Sequence, residues 1–181
     1  MEELALHILD LAENSIAAGA RRVEIRVREL PDQDRVSIEI TDDGAGMDQE
    51  TLRKAHDPFF TTRTTRRVGL GLPLFEQAVK AAGGEFRLES RPGEGTKVTG
   101  ILQCSHPDRQ PLGDVAGTLL TLVIGNPEVE FDYLHQASDG EVSFRSSDVR
   151  TQLGGIPLNS PAGIAAVRKK LKGEFNGTGD D

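Results

Sequence analysis

Short glycine- and carboxylate-bearing segments interrupt this chain in a fixed order, each where regular structure should break. Asp42-Asp43-Gly44-Ala45-Gly46-Met47 ends an alternating stretch, and Gly69-Leu70-Gly71-Leu72 stands immediately before a helical pattern. Gly93-Glu94-Gly95-Thr96 joins two further alternating stretches. Ahead of them all, Asp10-Leu11-Ala12-Glu13-Asn14-Ser15 lies inside an apolar helical pattern. Glycines at such junctions let backbone approach a ligand closely. Turn chemistry explains the glycines one by one; it does not explain their order.

The pattern between the segments predicts the elements. Residues 2–18 read as a helix with acidic residues in its first turn and Gly19 as a stop. Arg21–Leu30 and Arg35–Thr41 alternate, through Val23, Ile25 and Val27 and through Val36, Ile38 and Ile40, and form a hairpin about Pro31-Asp32. Asp48 caps a short helix running to about His56. Leu72–Ala82 is a helix followed by Gly83-Gly84, and Glu85–Ser90 and Thr96–Gln103 form a second hairpin. Hairpins alternating with helices predict an α/β fold. It is a two-layer sandwich of one mixed, mostly antiparallel sheet with helices on one face, plus a small C-terminal αβ appendage.

The expected organisation is a core domain over 1–104, the appendage over 105–172 and a disordered tail over 173–181. Ser105–Pro111 reads as a linker, Asp114–Ile124 as an apolar helix and Val129–His135 with Gly140–Arg145 as a hairpin. A last helix starts at Asn159-Ser160-Pro161 and ends near Gly173. The apolar helix needs cover, and the appendage's own hairpin, with Val129, Phe131 and Tyr133, is the expected partner.

Composition removes several function classes. Net charge is −8, which argues against nucleic-acid binding by bulk charge. The single cysteine, Cys104, excludes an internal disulfide and a cysteine-rich metal cluster, and fits a reducing cytoplasm. The chain opens on Glu2 and Glu3 rather than a basic-apolar signal, and the apolar run Leu119–Ile124 is too short to span a bilayer. No membrane association is expected. No G-x-x-x-x-G-K-[ST] occurs, so a P-loop is excluded, and the histidines His7, His56, His106 and His135 lack zinc-ligand spacing with Cys104.

The chemistry-bearing residues read as follows. Asp10 and Asn14 are four apart and share a helix face, with His7 one turn earlier. An asparagine oxygen is a neutral hard ligand suited to Mg²⁺. Gly69 and Gly71 at a helix start set backbone N–H groups and the helix dipole toward an anion. Arg63, Arg66 and Arg67 lie in the short segment before them, where an arginine can grip terminal phosphates.

Taken together, these segments resemble the nucleotide-binding boxes of the histidine-kinase-like (GHKL, or Bergerat-fold) ATPase superfamily, over residues 4 to about 103. The resemblance implies ATP and Mg²⁺ as cofactors. It implies that Asn14 holds the metal and that Asp10 takes the catalytic carboxylate position, where the superfamily ATPases usually carry Glu. Asp42 matches the carboxylate that accepts the adenine amino group, with Gly44, Gly46 and Met47 beside it and the Thr96 hydroxyl in support. Thr61, Thr62, Arg63, Gly69, Leu70, Gly71 and Leu72 match the lid and phosphate boxes, with Phe59 and Phe60 as packing anchors. Arg67 stands where kinases usually have another glycine, and Ala17 where sensor kinases often have Lys. The Glu13–Ala20 spelling is closest to mismatch-repair ATPases; Phe-Phe-Thr-Thr-Arg and Gly-Leu-Gly-Leu are kinase-like.

A sensor kinase needs a helical hairpin carrying a phosphoacceptor His ahead of this domain, so a complete sensor kinase is not expected. A cytoplasmic signalling kinase that phosphorylates an unidentified partner protein is the first expectation. The alternative is an ATP-gated switch or slow ATPase that binds a partner without phosphorylating it. A second copy of the chain is one candidate partner.

Overall fold

The layer that positions every box is a six-stranded sheet, ordered β3-β4-β2-β1-β5-β6. A computed structural model of the chain describes residues 3–57 and 70–177. The expectations on Phe59, Phe60, Thr61, Thr62, Arg63, Arg66, Arg67 and Gly69 lie outside the described residues.

Helix α1 (Leu4–Ala17) leads into β1 (Arg22–Leu30) and β2 (Arg35–Asp42). The short α2 (Gln49–Lys54) follows, capped by Asp48, whose side chain accepts from the Thr51 amide. Then come α3 (Gly71–Ala81), β3 (Glu85–Arg91) and β4 (Gly95–Gln103). The chain continues through α4 (Val115–Gly125), β5 (Glu130–Ala137), β6 (Gly140–Arg145), α5 (Ser146–Leu153) and α6 (Pro161–Asn176). All strand pairs are antiparallel except β1 with β5. The predicted sandwich is therefore present, mixed and mostly antiparallel.

Alternation does the sorting. Val23, Ile25 and Val27 of β1 and Val36, Ile38 and Ile40 of β2 point to the helix side and are buried. The intervening Glu24, Arg26, Ser37 and Glu39 lie on the open face, half-buried. On the helix side, Leu4, Ile8 and Leu11 of α1 and Phe75 and Val79 of α3 close over the strands. Each such side chain contributes about 1.5–3 kcal/mol by leaving water.

The C-terminal third departs from expectation. It does not pack on itself alone: β5 enters the sheet beside β1, with Val23 opposite Phe131 and Ile25 opposite Tyr133. Phe131, Tyr133, Phe144, Leu119 and Val167 share one core with Ile8 and Ile25. Helix α4 packs between α1 and α6 rather than mainly on the β5–β6 hairpin, and its Thr118 Oγ1 donates to Ala5 O at 3.3 Å. On the open face, Asp132 of β5 is 4% exposed and gathers Arg26 at 2.9 Å, Arg22 at 3.2 Å and Arg145 at 3.3 Å. That cluster stitches β1, β5 and β6 together, and stripping its arginines would leave a buried charge without partners.

The stretch expected as a linker is a strap across the start of α1. No side chain caps α1; instead the Leu4 and Ala5 amides donate to Pro111 O at 2.9 Å and Leu112 O at 2.8 Å. Those amides are among the four that a helix start leaves without internal partners. Gln110 Oε1 sits 3.0 Å from His7 Nε2, and Glu3 Oε2 accepts from the Asp114 amide at 3.2 Å.

Helix α5 was not anticipated, because its polar start Ser146-Ser147-Asp148 hides it; Ser146 and Val149 are buried. Helix α6 runs on to Asn176, past the expected end at Gly173, because Phe175 stacks on Tyr133 with ring centroids 5.8 Å apart. The disordered tail expected from residue 173 is thus helical as far as Asn176. Burial, with Glu29 adding to it, pushes the Tyr133 phenol well above its ordinary pKa. Among the described residues, no helix is long and apolar enough to cross a membrane.

Candidate functional site

One end of the sheet, where β2 stops and β4 begins, collects Asp42, Gly44, Gly46, Met47 and Thr96. Asp42 is the last residue of β2 and pairs in register with Thr96. Its carboxylate is 9% exposed and is held by three donors. Ser15 Oγ donates to Oδ2 at 2.6 Å, while the Gly44 and Thr96 amides donate to Oδ1 at 2.9 and 3.3 Å. Thr96 thus supports Asp42 through its backbone. Its hydroxyl is engaged instead with Ser90 Oγ at 2.8 Å.

Two glycines are required by close approach. A Cβ on Gly46, at φ +69°, would collide with Arg91 O, and one on Gly95, at φ +89°, would collide with Asp42 O. The two loops are also tied by hydrogen bonds. Gly93 N donates to Ala45 O at 2.7 Å, and Met47 N donates to Ser90 Oγ at 2.8 Å. Asp42, Gly44, Gly46, Met47 and Thr96 therefore form one rigid corner.

The second half of the site is the meeting of α1 with the start of α3. Asp10 is exposed and Asn14 half-buried on the same face of α1. A Cβ on Gly71 would stand 3.2 Å from Asn14 Nδ2 and 3.3 Å from Asp10 Cβ. The first turn of α3 therefore lies directly against Asp10 and Asn14. No side chain caps α3 at Leu70. An anion placed there meets backbone N–H groups and the positive end of the helix dipole. Leu70 is exposed and Leu72 half-buried beside it.

The electrostatics below α3 are ordered. Glu76 bonds His56 Nδ1 at 2.6 Å and Lys80 Nζ at 2.5 Å, tying the end of α2 to α3. Burial alone would raise the Glu76 carboxyl; the His56 and Lys80 bonds and charges outweigh it and hold the group below its ordinary value. His7 is buried against Phe75 and bonded to Gln110. Among the described residues, no group of three or more His, Cys, Asp or Glu is placed to hold a metal.

Sequence reasoning missed Ser15 and Ser90. Ser15 was detectable: it follows Leu4, Ile8, Leu11 and Ala12 on the buried face of α1, and a polar group among apolar ones needs a partner. Ser90 continues the inward row Phe86, Leu88 of β3 and carries the same signal.

With this geometry in view, comparison with known proteins places the chain. Residues 2–106 match the family of histidine kinase-, DNA gyrase B- and HSP90-like ATPases, and the chain belongs to it. The chain is 40% identical over 95 residues to the sensor protein kinase FleS of Pseudomonas aeruginosa, covering 52% of this chain and 23% of that protein. It is 36% identical over 96 residues to the signal transduction histidine-protein kinase AtoS of Escherichia coli, covering 52% of this chain and 16% of that one. The match thus spans less than a quarter of either kinase. The fold also resembles the Aquifex aeolicus MutL ATPase domain, solved with ADP, at 18% identity and TM-score 0.52, over 75% of this chain and 60% of that one.

Proposed function

We propose that this chain binds Mg-ATP and transfers the γ-phosphoryl group to a partner protein in the cytoplasm. The observation that carries the reading is the convergence of three parts: the anchored Asp42 carboxylate, the Asp10–Asn14 face and the start of α3, which no Leu70 side chain caps. The adenine amino group donates to Asp42, and the phosphates lie at the first turn of α3. Asn14 Oδ1, a neutral hard oxygen, would hold Mg²⁺, which would supply charge to offset that of the phosphates. Asp10 would accept the proton of the acceptor group as that group bonds to the γ-phosphorus and the bond to the bridging oxygen breaks, ADP leaving. Similarity to sensor kinases over the matched segment supports transfer over simple hydrolysis.

The test is incubation of the chain with γ-labelled ATP and fractionated lysate, alongside Asp10→Asn. Label on one discrete protein, lost with the variant, supports the kinase. Free phosphate without labelled protein supports an ATPase. A second reading, an ATP-gated switch, draws on one observation: the strap at Gln110–Leu112 caps the helix that bears Asp10 and Asn14. Movement of α1 on nucleotide binding would reach the C-terminal third through that strap. ATP retention with neither labelled protein nor phosphate release supports it.

A further inference from the structure

Three contacts converge on the Ser90 hydroxyl, which none of the proposed chemistry uses. The Met47 amide donates to Ser90 Oγ at 2.8 Å. Ser90 Oγ lies 2.9 Å from Gly95 O and 2.8 Å from Thr96 Oγ1. A serine hydroxyl offers one proton and two lone pairs. A carbonyl oxygen only accepts, so the Ser90 proton goes to Gly95. The Met47 amide takes one lone pair. The remaining contact is satisfied in one way only, with Thr96 donating into the second lone pair. The Thr96 hydroxyl has then spent its proton, and to anything else it presents lone pairs alone.

That polarity matters because of where Thr96 stands. Asp42 pairs with Thr96 across β2 and β4, and Thr96 pairs with Ser90 across β4 and β3. By alternation the three side chains share one row on the helix side, continuing from Ile40, Val98 and Leu88.

We propose that Ser90 is a positioning residue for base specificity. It fixes Thr96 Oγ1 as an acceptor, so that Asp42 and Thr96 together present only acceptors to the purine edge. A 6-amino purine donates to such a wall; a 6-oxo purine sets its own oxygen against it. Without Ser90, the Thr96 proton is free to turn toward a 6-oxo group. The inference rests on the reading of Asp42 as the base-recognition carboxylate.

The test is titration of the full chain with Mg-ATP and Mg-ITP, which differ at the purine 6-position and, with it, in the protonation of N1. Wild type is expected to prefer ATP. Ser90→Ala should lower the ATP/ITP affinity ratio by about fivefold, the worth of one hydrogen bond, chiefly by improving ITP. Ser90→Thr, which keeps the hydroxyl, should restore the ratio. Thr96→Val should lower the ratio by itself, and in that background Ser90→Ala should change it no further. Equal weakening of both nucleotides by Ser90→Ala would reveal a merely structural serine and overturn the proposal. So would an unchanged ratio in Thr96→Val, which decides the matter even if Ser90→Ala does not fold. Wild type that binds neither nucleotide would overturn the Asp42 reading itself, a separate outcome.

Discussion

Replacing Asp42 with Asn separates recognition from folding. In the folded chain the carboxylate accepts from Ser15 Oγ, Gly44 N and Thr96 N. An asparagine can keep its oxygen toward the Gly44 and Thr96 amides. Its new NH₂ then faces Ser15, whose hydroxyl turns from donor to acceptor. All three contacts survive as neutral bonds, so unfolding free energy should fall by about 1 kcal/mol, the difference between charged and neutral partners. Nucleotide is affected more. On the proposed reading, the adenine amino group would meet an amide NH₂ in place of a carboxylate, so a charge-assisted bond would be lost and two donors would confront each other. The loss should be about 1.5–3 kcal/mol, or roughly 10- to 150-fold in Kd. Calorimetric titration with Mg-ATP reads the affinity, and urea denaturation of the same preparation reads stability. Unchanged ATP affinity in a folded Asp42→Asn protein would refute the reasoning. Destabilisation large enough to account for the whole binding loss would equally show that the residue is structural.

Other predictions concern the neighbouring parts. Asn14→Ala should abolish the difference between ATP titrations with and without magnesium; a difference like that of wild type would place the metal elsewhere. Glu76 is held below its ordinary pKa in the folded chain, so its contribution to stability is present above the unfolded-state carboxylate value and is lost as pH falls through the folded one. Glu76→Gln should therefore flatten the acid limb of the stability–pH curve, and an unaltered limb would contradict the pairing with His56 and Lys80. A chain ending at Gln103 loses the Pro111 and Leu112 caps on α1 and the strand beside β1. It should be insoluble or unfolded by circular dichroism, and a stable, ATP-binding fragment would show that the first three helices and four strands suffice.

The parts legible in the sequence were those fixed by local chemistry. Alternation in Val23–Val27 and Val36–Ile40 named both central strands and their buried face, because side chains on a strand have a period of two. The glycine boxes marked the corner at Asp42, where close approach leaves no room for a Cβ on Gly46 or Gly95, and the start of α3, where Gly71 lies against Asn14 and Asp10. What stayed hidden was decided by partners distant in sequence. Nothing in Glu130–Ala137 says that its neighbour is β1 rather than β6 alone, since a strand's alternation does not encode which edge it joins. The prolines and polar residues of 105–111 read as a linker; that the carbonyls of Pro111 and of Leu112 just beyond it cap a helix start a hundred positions earlier is a tertiary fact. Ser15 and Ser90 are polar interruptions on buried faces, and only the fold shows that both serve the Asp42 corner.

The strap also bears on how the molecule is built in time. The contacts that complete α1 join residues far apart: His7 with Gln110 across 103 positions, Glu3 with Asp114 across 111, and Ala5 with Thr118 across 113. Arg22 reaches Asp132 across 110. Pairings of such separation close large loops before they return any stabilisation, which slows folding. During synthesis α1 emerges before its carbonyl partners, and its opening amides lack them until the chain has grown past Leu112. The helix that carries Asp10, Asn14 and Ser15 is thus made well before it is secured. The start of that helix gains its caps only when the C-terminal third arrives.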